Sequence, residues 1–273
     1  MQARMFGDED RAPEDRWSPG SYDRAELVHA LVAGNVAGPV TSHDRRNVLW
    51  KIERLVSGDP DLQFGLSGVS DVAFDKVLAL MAAESGFSAD PFVVEGPSAI
   101  DPELVLEACE AVGKRLAAVA ERGARIVLAT GHPAGLIELY GAVGRLLEAS
   151  GARLLSPAEG VSWREAGYRE IRYVDGVAIL ADRGGGKHTH ASGPMERILR
   201  HARPDLVFAD HGFAGAAIEA GVETFSIADV NDPAPVVAKA QGRTELVIVM
   251  DDNVRPDAYW PCFQAIAAQF TSQ

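Results

Sequence analysis

From about residue 123 the chain alternates short, continuously apolar runs with amphipathic segments, and this constrains its fold more than any other feature. The runs are Arg125–Thr130 (RIVLAT), Val177–Ala181, Asp205–Ala209, Val222–Ile227 and Glu245–Met250. None alternates polar with apolar residues, so each is expected to be a strand buried on both faces. Helical segments are predicted over Gly135–Ala149, Pro194–His201, a stretch ending at Ala220, Pro233–Ala240 and Pro256–Phe270. Strands separated by helices predict a three-layer α/β/α domain with a mostly parallel sheet, spanning 123–273.

The part ahead of it reads differently. Leu27, Val28, Leu31 and Val32, then Val48, Leu49, Ile52 and Leu55, then Val72, Phe74, Val77, Leu78 and Leu80 recur at helical spacing. Asp101-Pro102-Glu103 reads as a cap followed by proline in the first turn, opening a helix that stops before Gly123. Residues 21–122 are therefore expected to form a helical region, whose charged turns and position suit a lid over the α/β domain. The polar, charged stretch 1–20 is expected to be disordered.

Composition narrows the partners. The 39 acidic and 26 basic residues give a formal net charge of -13, which repels nucleic acid and anionic membranes and favours a small molecule or a cation. No apolar stretch has signal-peptide or membrane-spanning length. Cys109 and Cys262 show no paired spacing, so a reducing, cytoplasmic setting is expected.

Ligands of open parallel sheets bind beyond the carboxyl ends of the strands, so the residues after each apolar run carry the chemistry. Thr130-Gly131-His132-Pro133 follows the first run, and a hydroxyl, backbone amides and an imidazole there suit a phosphate. Gly184-Gly185-Gly186-Lys187-His188-Thr189-His190 follows the second. Glycines let the backbone close around an anion with Lys187 neutralising it, while His188 and His190 suit a metal or proton transfer. Asp210-His211-Gly212 follows the third run, with Asp210 placed to hold metal or act as base. Asp229, Asn231 and Asp232 follow the fourth and Asp251-Asp252-Asn253 the fifth, where adjacent carboxylates repel unless a cation relieves them. The candidate catalytic residues are His132, His188, His190, Asp210 and His211. The substrate-binding candidates are Thr130, Gly131, Gly185, Gly186, Lys187 and Arg46, and the metal ligands Asp210, Asp229, Asp232 and Asp252. His29 and His201 lie in helical segments and are read as packed or exposed.

The segments TGHPAGL, GGGKHTHASGPM, ADHGFAGAAIEAG and MDDNVRPDAYWP, in this order, resemble a bacterial family of phosphatases. The resemblance covers nearly the whole chain, including an arginine and asparagine at Arg46 and Asn47 and a DPEL segment at Asp101–Leu104. It implies a phosphatase activity without naming a substrate or mechanism. Lys187 departs from the pattern, which carries tryptophan in that segment, and a cation there favours an anionic substrate. The order of strand-end aspartates also echoes, by topology alone, the metal-dependent sugar-phosphate damage-control phosphatases.

These features together predict a phosphomonoesterase for a small phosphorylated metabolite, assisted by a divalent metal: Mg²⁺ or Mn²⁺ first, then Co²⁺ or Zn²⁺. Two alternatives use the same residues. One is a metal-dependent lyase or cyclase acting on a carboxylate, and the other a non-catalytic sensor of a nucleotide or phosphate. The nucleophile motif DxDx[TV] of haloacid dehalogenases is absent from the sequence, so no phospho-aspartate is expected.

Overall fold

The computed structural model describes residues 16–270. Five helices come first: α1 (Arg24–Ala33), α2 (Arg45–Val56), the single-turn α3 (Pro60–Gln63), α4 (Phe74–Ser85) and α5 (Pro102–Glu121). Asp23 and Glu26 form a reciprocal capping box on α1. Asp44 accepts the Asn47 N–H at 2.7 Å to start α2, and Asp101 accepts that of Glu103 at 2.9 Å ahead of α5.

The alternating half follows with β1 (Arg125–Thr130), α6 (Pro133–Ala149), β2 (Arg153–Leu154), β3 (Ser162–Arg164), β4 (Tyr168–Val174), β5 (Val177–Ala181) and α7 (Gly193–His201). It closes with β6 (Leu206–Asp210), α8 (His211–Glu219), β7 (Glu223–Ala228), α9 (Pro233–Ala240), β8 (Leu246–Val249) and α10 (Trp260–Ala267). All five predicted strands form, within a residue of their expected bounds. The sheet order is β3-β4-β5-β1-β6-β7-β8, with β2 beside the first half of β1. The strands from β5 to β8 along this order are mutually parallel, as expected.

Two features differ from the sequence expectation. The antiparallel hairpin β3–β4 extends the sheet beyond β5. Arg164, Arg169, Glu170 and Arg172 interrupt its strands and only Ile171 of β4 is fully buried, so it lacks the continuous apolar run of a strand covered on both faces. The predicted closing helix is split into a 3-10 turn at Pro256–Tyr259 and α10. Pro261 has no N–H to offer a continuous helix and sits instead in the first turn of α10.

Side chains alternate across β1. Ile126 and Leu128 join a core with Leu116 of α5, Leu139 of α6 and Ile266 of α10, while Val127 and Ala129 pack with Met195 of α7 and Phe213 of α8. The helical region and the α/β half thus share one apolar cluster. Of the stretch 1–20, residues 1–15 lie outside the described residues. Trp17 packs edge-on against Phe263 at 5.8 Å, and the Gln264 side chain accepts from the Gly20 N–H and donates to the Arg16 and Ser18 carbonyls. Among the described residues no helix is long and apolar enough to cross a membrane.

Candidate active site

The site begins where β6 becomes α8. Asp210 ends the strand in extended conformation, and His211 then takes a left-handed backbone with φ of 47° while 4% exposed. A buried non-glycine residue holds that conformation only where its surroundings enforce it. Part of the enforcement is Gly212, where a Cβ would overlap the carbonyls of His190 and Ala191. Asp210 occupies the N-cap position of α8 without capping it. Its Oδ1 accepts the Gly131 N–H at 2.6 Å and lies 2.7 Å from His211 Nδ1. A carboxylate only accepts, so Nδ1 carries the proton and Nε2 is aimed away from Asp210.

Nε2 faces Asp232 Oδ2 at 3.3 Å and Asp252 Oδ2 at 3.5 Å. Asp232 also stands at an N-cap position, that of α9, and also makes no cap bond. Two N-cap aspartates turned from their helices toward one imidazole argue for function over capping. The other histidines gather around the same ring. His188 and His190 have centroids 5.2 and 5.0 Å from that of His211, and His132 lies 4.8 Å from His188. One backbone bond and one to a side chain fix this arrangement: Thr189 N–H donates to the Gly131 carbonyl at 2.9 Å, and His132 N–H to the Thr130 hydroxyl oxygen at 2.9 Å. His188 and His190 border a cleft of about 790 Å³ between α3 and the β3–β4 hairpin.

The electrostatics divide the site in two. Burial, reinforced by repulsion from His211, lowers the His132 and His190 rings and takes His188 down to about 4. His188 is thereby neutral at pH 7. Burial alone would lower His211, but the Asp210 and Asp232 carboxylates hold it well above its ordinary value. Burial also raises Asp229 and Asp252, and neighbouring carboxylates push both further up. Asp232 is lowered: the hydrogen bond and charge of His211 outweigh its burial.

The remaining predicted residues spread around this centre. Asp229 is buried and pairs with His43 Nε2 at 3.0 Å. Asp251 turns away, accepting from Ser42 Oγ at 2.8 Å, so only Asp252 of that pair faces His211. Gly184 and Gly185 direct their amides to Asp182 Oδ1 at 2.7 and 3.1 Å, and Lys187 Nζ lies 3.0 Å from Asp182 Oδ2. The glycine run therefore closes on its own aspartate, with Gly186 packed on Pro133. Arg46 is exposed and paired with Glu95 at the surface.

Three neighbours escaped the sequence analysis. His43 meets Asp229, Asp61 Oδ2 lies 3.2 Å from His190 Nδ1, and Phe64 packs edge-on against His190 and His211 at 5.1 and 5.3 Å. Asp59-Pro60-Asp61 reads locally as a helix start, which it is, and nothing in its spacing reveals a contact more than a hundred residues away.

The donor set suits a cation on two counts. Asp252 Oδ2 is buried without a hydrogen-bond donor, a cost that a cation removes. Donors about 2.1 Å from one ion stand about 3.0–3.4 Å apart in octahedral or tetrahedral arrangement, close to the spacings of His211 Nε2 with Asp232 and Asp252. Ligand atoms of His188, His190 and His211 likewise all lie within 4.8 Å of one another.

Comparison with known proteins gives two matches. A family described as Phosphatase matches residues 22–271. The chain is also 37% identical over 250 residues to Phosphatase SCO2771 of Streptomyces coelicolor, covering 89% of this chain and 94% of that protein.

Proposed function

Since the chain belongs to this phosphatase family, we propose that it is a cytoplasmic phosphomonoesterase for a small phosphorylated metabolite, working with a divalent cation held by His211, Asp232 and Asp252. The observation that carries this reading is the convergence of two non-capping aspartates, Asp252 and three histidines on one buried imidazole. One nitrogen and two carboxylate oxygens favour Mn²⁺, Co²⁺ or Zn²⁺ over Mg²⁺, which prefers oxygen alone. When bound, such an ion neutralises phosphoryl oxygens and acidifies a nearby water.

The chain's own residues supply the rest. Asp210 fixes the His211 tautomer from behind, the role of an outer-shell carboxylate. His188, neutral and exposed at the cleft, accepts the proton of the attacking water and returns it to the leaving alkoxide as the P–O bond breaks. His190 and His132 donate N–H groups to the phosphoryl oxygens. Both cysteines are free and buried, which suits a reducing compartment.

The test is phosphate release from sugar phosphates, nucleotides and an aryl phosphate, in EDTA and with each metal restored. Turnover that returns with metal and disappears in Asp252→Asn and His190→Ala is expected. Failure to release phosphate under every metal overturns the proposal.

A further inference from the structure

The cleft beside the histidines extends well past the room a phosphoryl group needs. At about 790 Å³ it lies within the range of pockets that enclose a whole small-molecule ligand. Its far wall, formed by the β3–β4 hairpin and α7, presents Arg169 and Arg197, both half-buried. Neither guanidinium has a carboxylate within ion-pair distance among the described residues, although the chain has a large excess of acids. The three acids lining the cleft face other partners: Asp61 Oδ2 lies 3.2 Å from His190 Nδ1, Glu165 accepts from Trp163 Nε1 at 2.9 Å and Glu196 from Ser192 Oγ at 2.7 Å.

Both arginines are nevertheless held in place. Arg169 Nη1 donates to the Tyr168 carbonyl at 3.0 Å, and Arg197 Nη1 to that of Gly193 at 3.0 Å. Arg197 also lies 4.0 Å over the Trp163 ring. Arg169 Nη2 also donates to the Ala166 carbonyl at 3.4 Å, so two backbone acceptors orient its fork and one orients that of Arg197, and both keep further N–H groups for a carboxylate or phosphate.

We propose that Arg169 and Arg197 are specificity-determining residues that bind a second anionic group, carried on the leaving-group side of the substrate. This rests on the phosphomonoesterase reading above. The substrate is then a small phosphomonoester whose alcohol portion bears its own phosphate or carboxylate. Its scissile phosphoryl group lies at the histidines and its second anion at the hairpin.

The experiment compares phenyl phosphate with its meta-carboxylate and meta-phosphate analogues, in the wild-type protein and in Arg169→Gln and Arg197→Gln. The wild-type protein should prefer a doubly anionic analogue. Each variant should lose about 10- to 100-fold in kcat/KM on that analogue, mainly through KM, as expected for a hydrogen bond to a charged group. Turnover of phenyl phosphate should stay within about threefold. A larger carboxylate effect identifies one source of the anion, and a larger phosphate effect the other. Equal losses on all three substrates overturn the proposal, because the arginines then grip the transferred phosphoryl group itself. Calorimetric titration with phenylphosphonate, 3-carboxyphenylphosphonate and 1,3-phenylenebisphosphonate separates the two claims. If no phosphate is released but a preference for a doubly anionic phosphonate exists and disappears in the variants, the anion site stands and the esterase reading fails. Equal affinity of phenylphosphonate, 3-carboxyphenylphosphonate and 1,3-phenylenebisphosphonate for the wild-type protein overturns the anion site.

Discussion

Removing the carboxylate behind His211 discriminates sharply among roles for Asp210. In Asp210→Ala, the Gly131 N–H and the His211 Nδ1–H lose their common acceptor in a region that is 0% exposed at Asp210. Each stranded buried donor costs about 1–3 kcal/mol, so the loss is about 2–6 kcal/mol, a large part of the ~5–15 kcal/mol that typically holds a domain folded. Asp210→Asn keeps an oxygen for both donors and loses only the charge. Relief of repulsion against Asp252 offsets part of even that cost. For Asn the functional effect should dominate: outer-shell carboxylates typically contribute 10- to 100-fold to metal affinity or activity, about 1.4–2.7 kcal/mol. Urea unfolding reads the first quantity, and Mn²⁺ calorimetry with kcat/KM for phosphate release the second. An Asp210→Asn protein that binds Mn²⁺ as tightly as the parent refutes the assignment, as does an Asp210→Ala protein of undiminished stability.

Two further outcomes follow from the geometry. Gly212→Ala should push the His188–Ser192 segment from α8, lowering stability by about 1–3 kcal/mol and reducing turnover more than a surface substitution does; unchanged turnover would mean the histidine loop is not positioned by that contact. In acid, Asp182 (held to about 2 by Lys187 and backbone amides), Asp205 (by Arg125) and Glu219 (by Ser67, then Arg243; both also about 2) bind fewer protons folded than unfolded. Their contribution is complete above about pH 5 and lost as pH falls toward about 2, so Tm should drop across that window and less steeply in Asp205→Asn; a flat Tm there contradicts the pairing.

The parallel sheet was legible because strands buried on both faces leave uninterrupted apolar runs, and the site because each run empties into polar residues. What failed was whatever depends on an edge or on distance. The hairpin β3–β4 hides behind charged residues, although Asp175-Gly176, with φ of 49° and 76°, forms the Asp-Gly turn that signals β4–β5 pairing. The glycine run looked like an anion cradle because spacing cannot show that Asp182, two residues upstream, already takes two of its amides. His43 and Asp61 reach the site only through packing of the helical region, which no local pattern encodes.

The roles of the neighbours Asp210 and His211 turn on one dihedral. Were the strand to continue, His211 would point to the opposite face from Asp210, and the two could not share a hydrogen bond aimed into one centre. The left-handed turn at His211 brings its ring back beside the Asp210 carboxylate and sends Nε2 toward Asp232 and Asp252. The result is three buried carboxylates around a single imidazole. A phosphate dianion approaching this acidic cluster is repelled unless a cation stands between them. On the proposed function, binding of the phosphoryl group is therefore coupled to that of the cation, and the second anion's arginines lie on the cleft's far wall, away from the acidic centre.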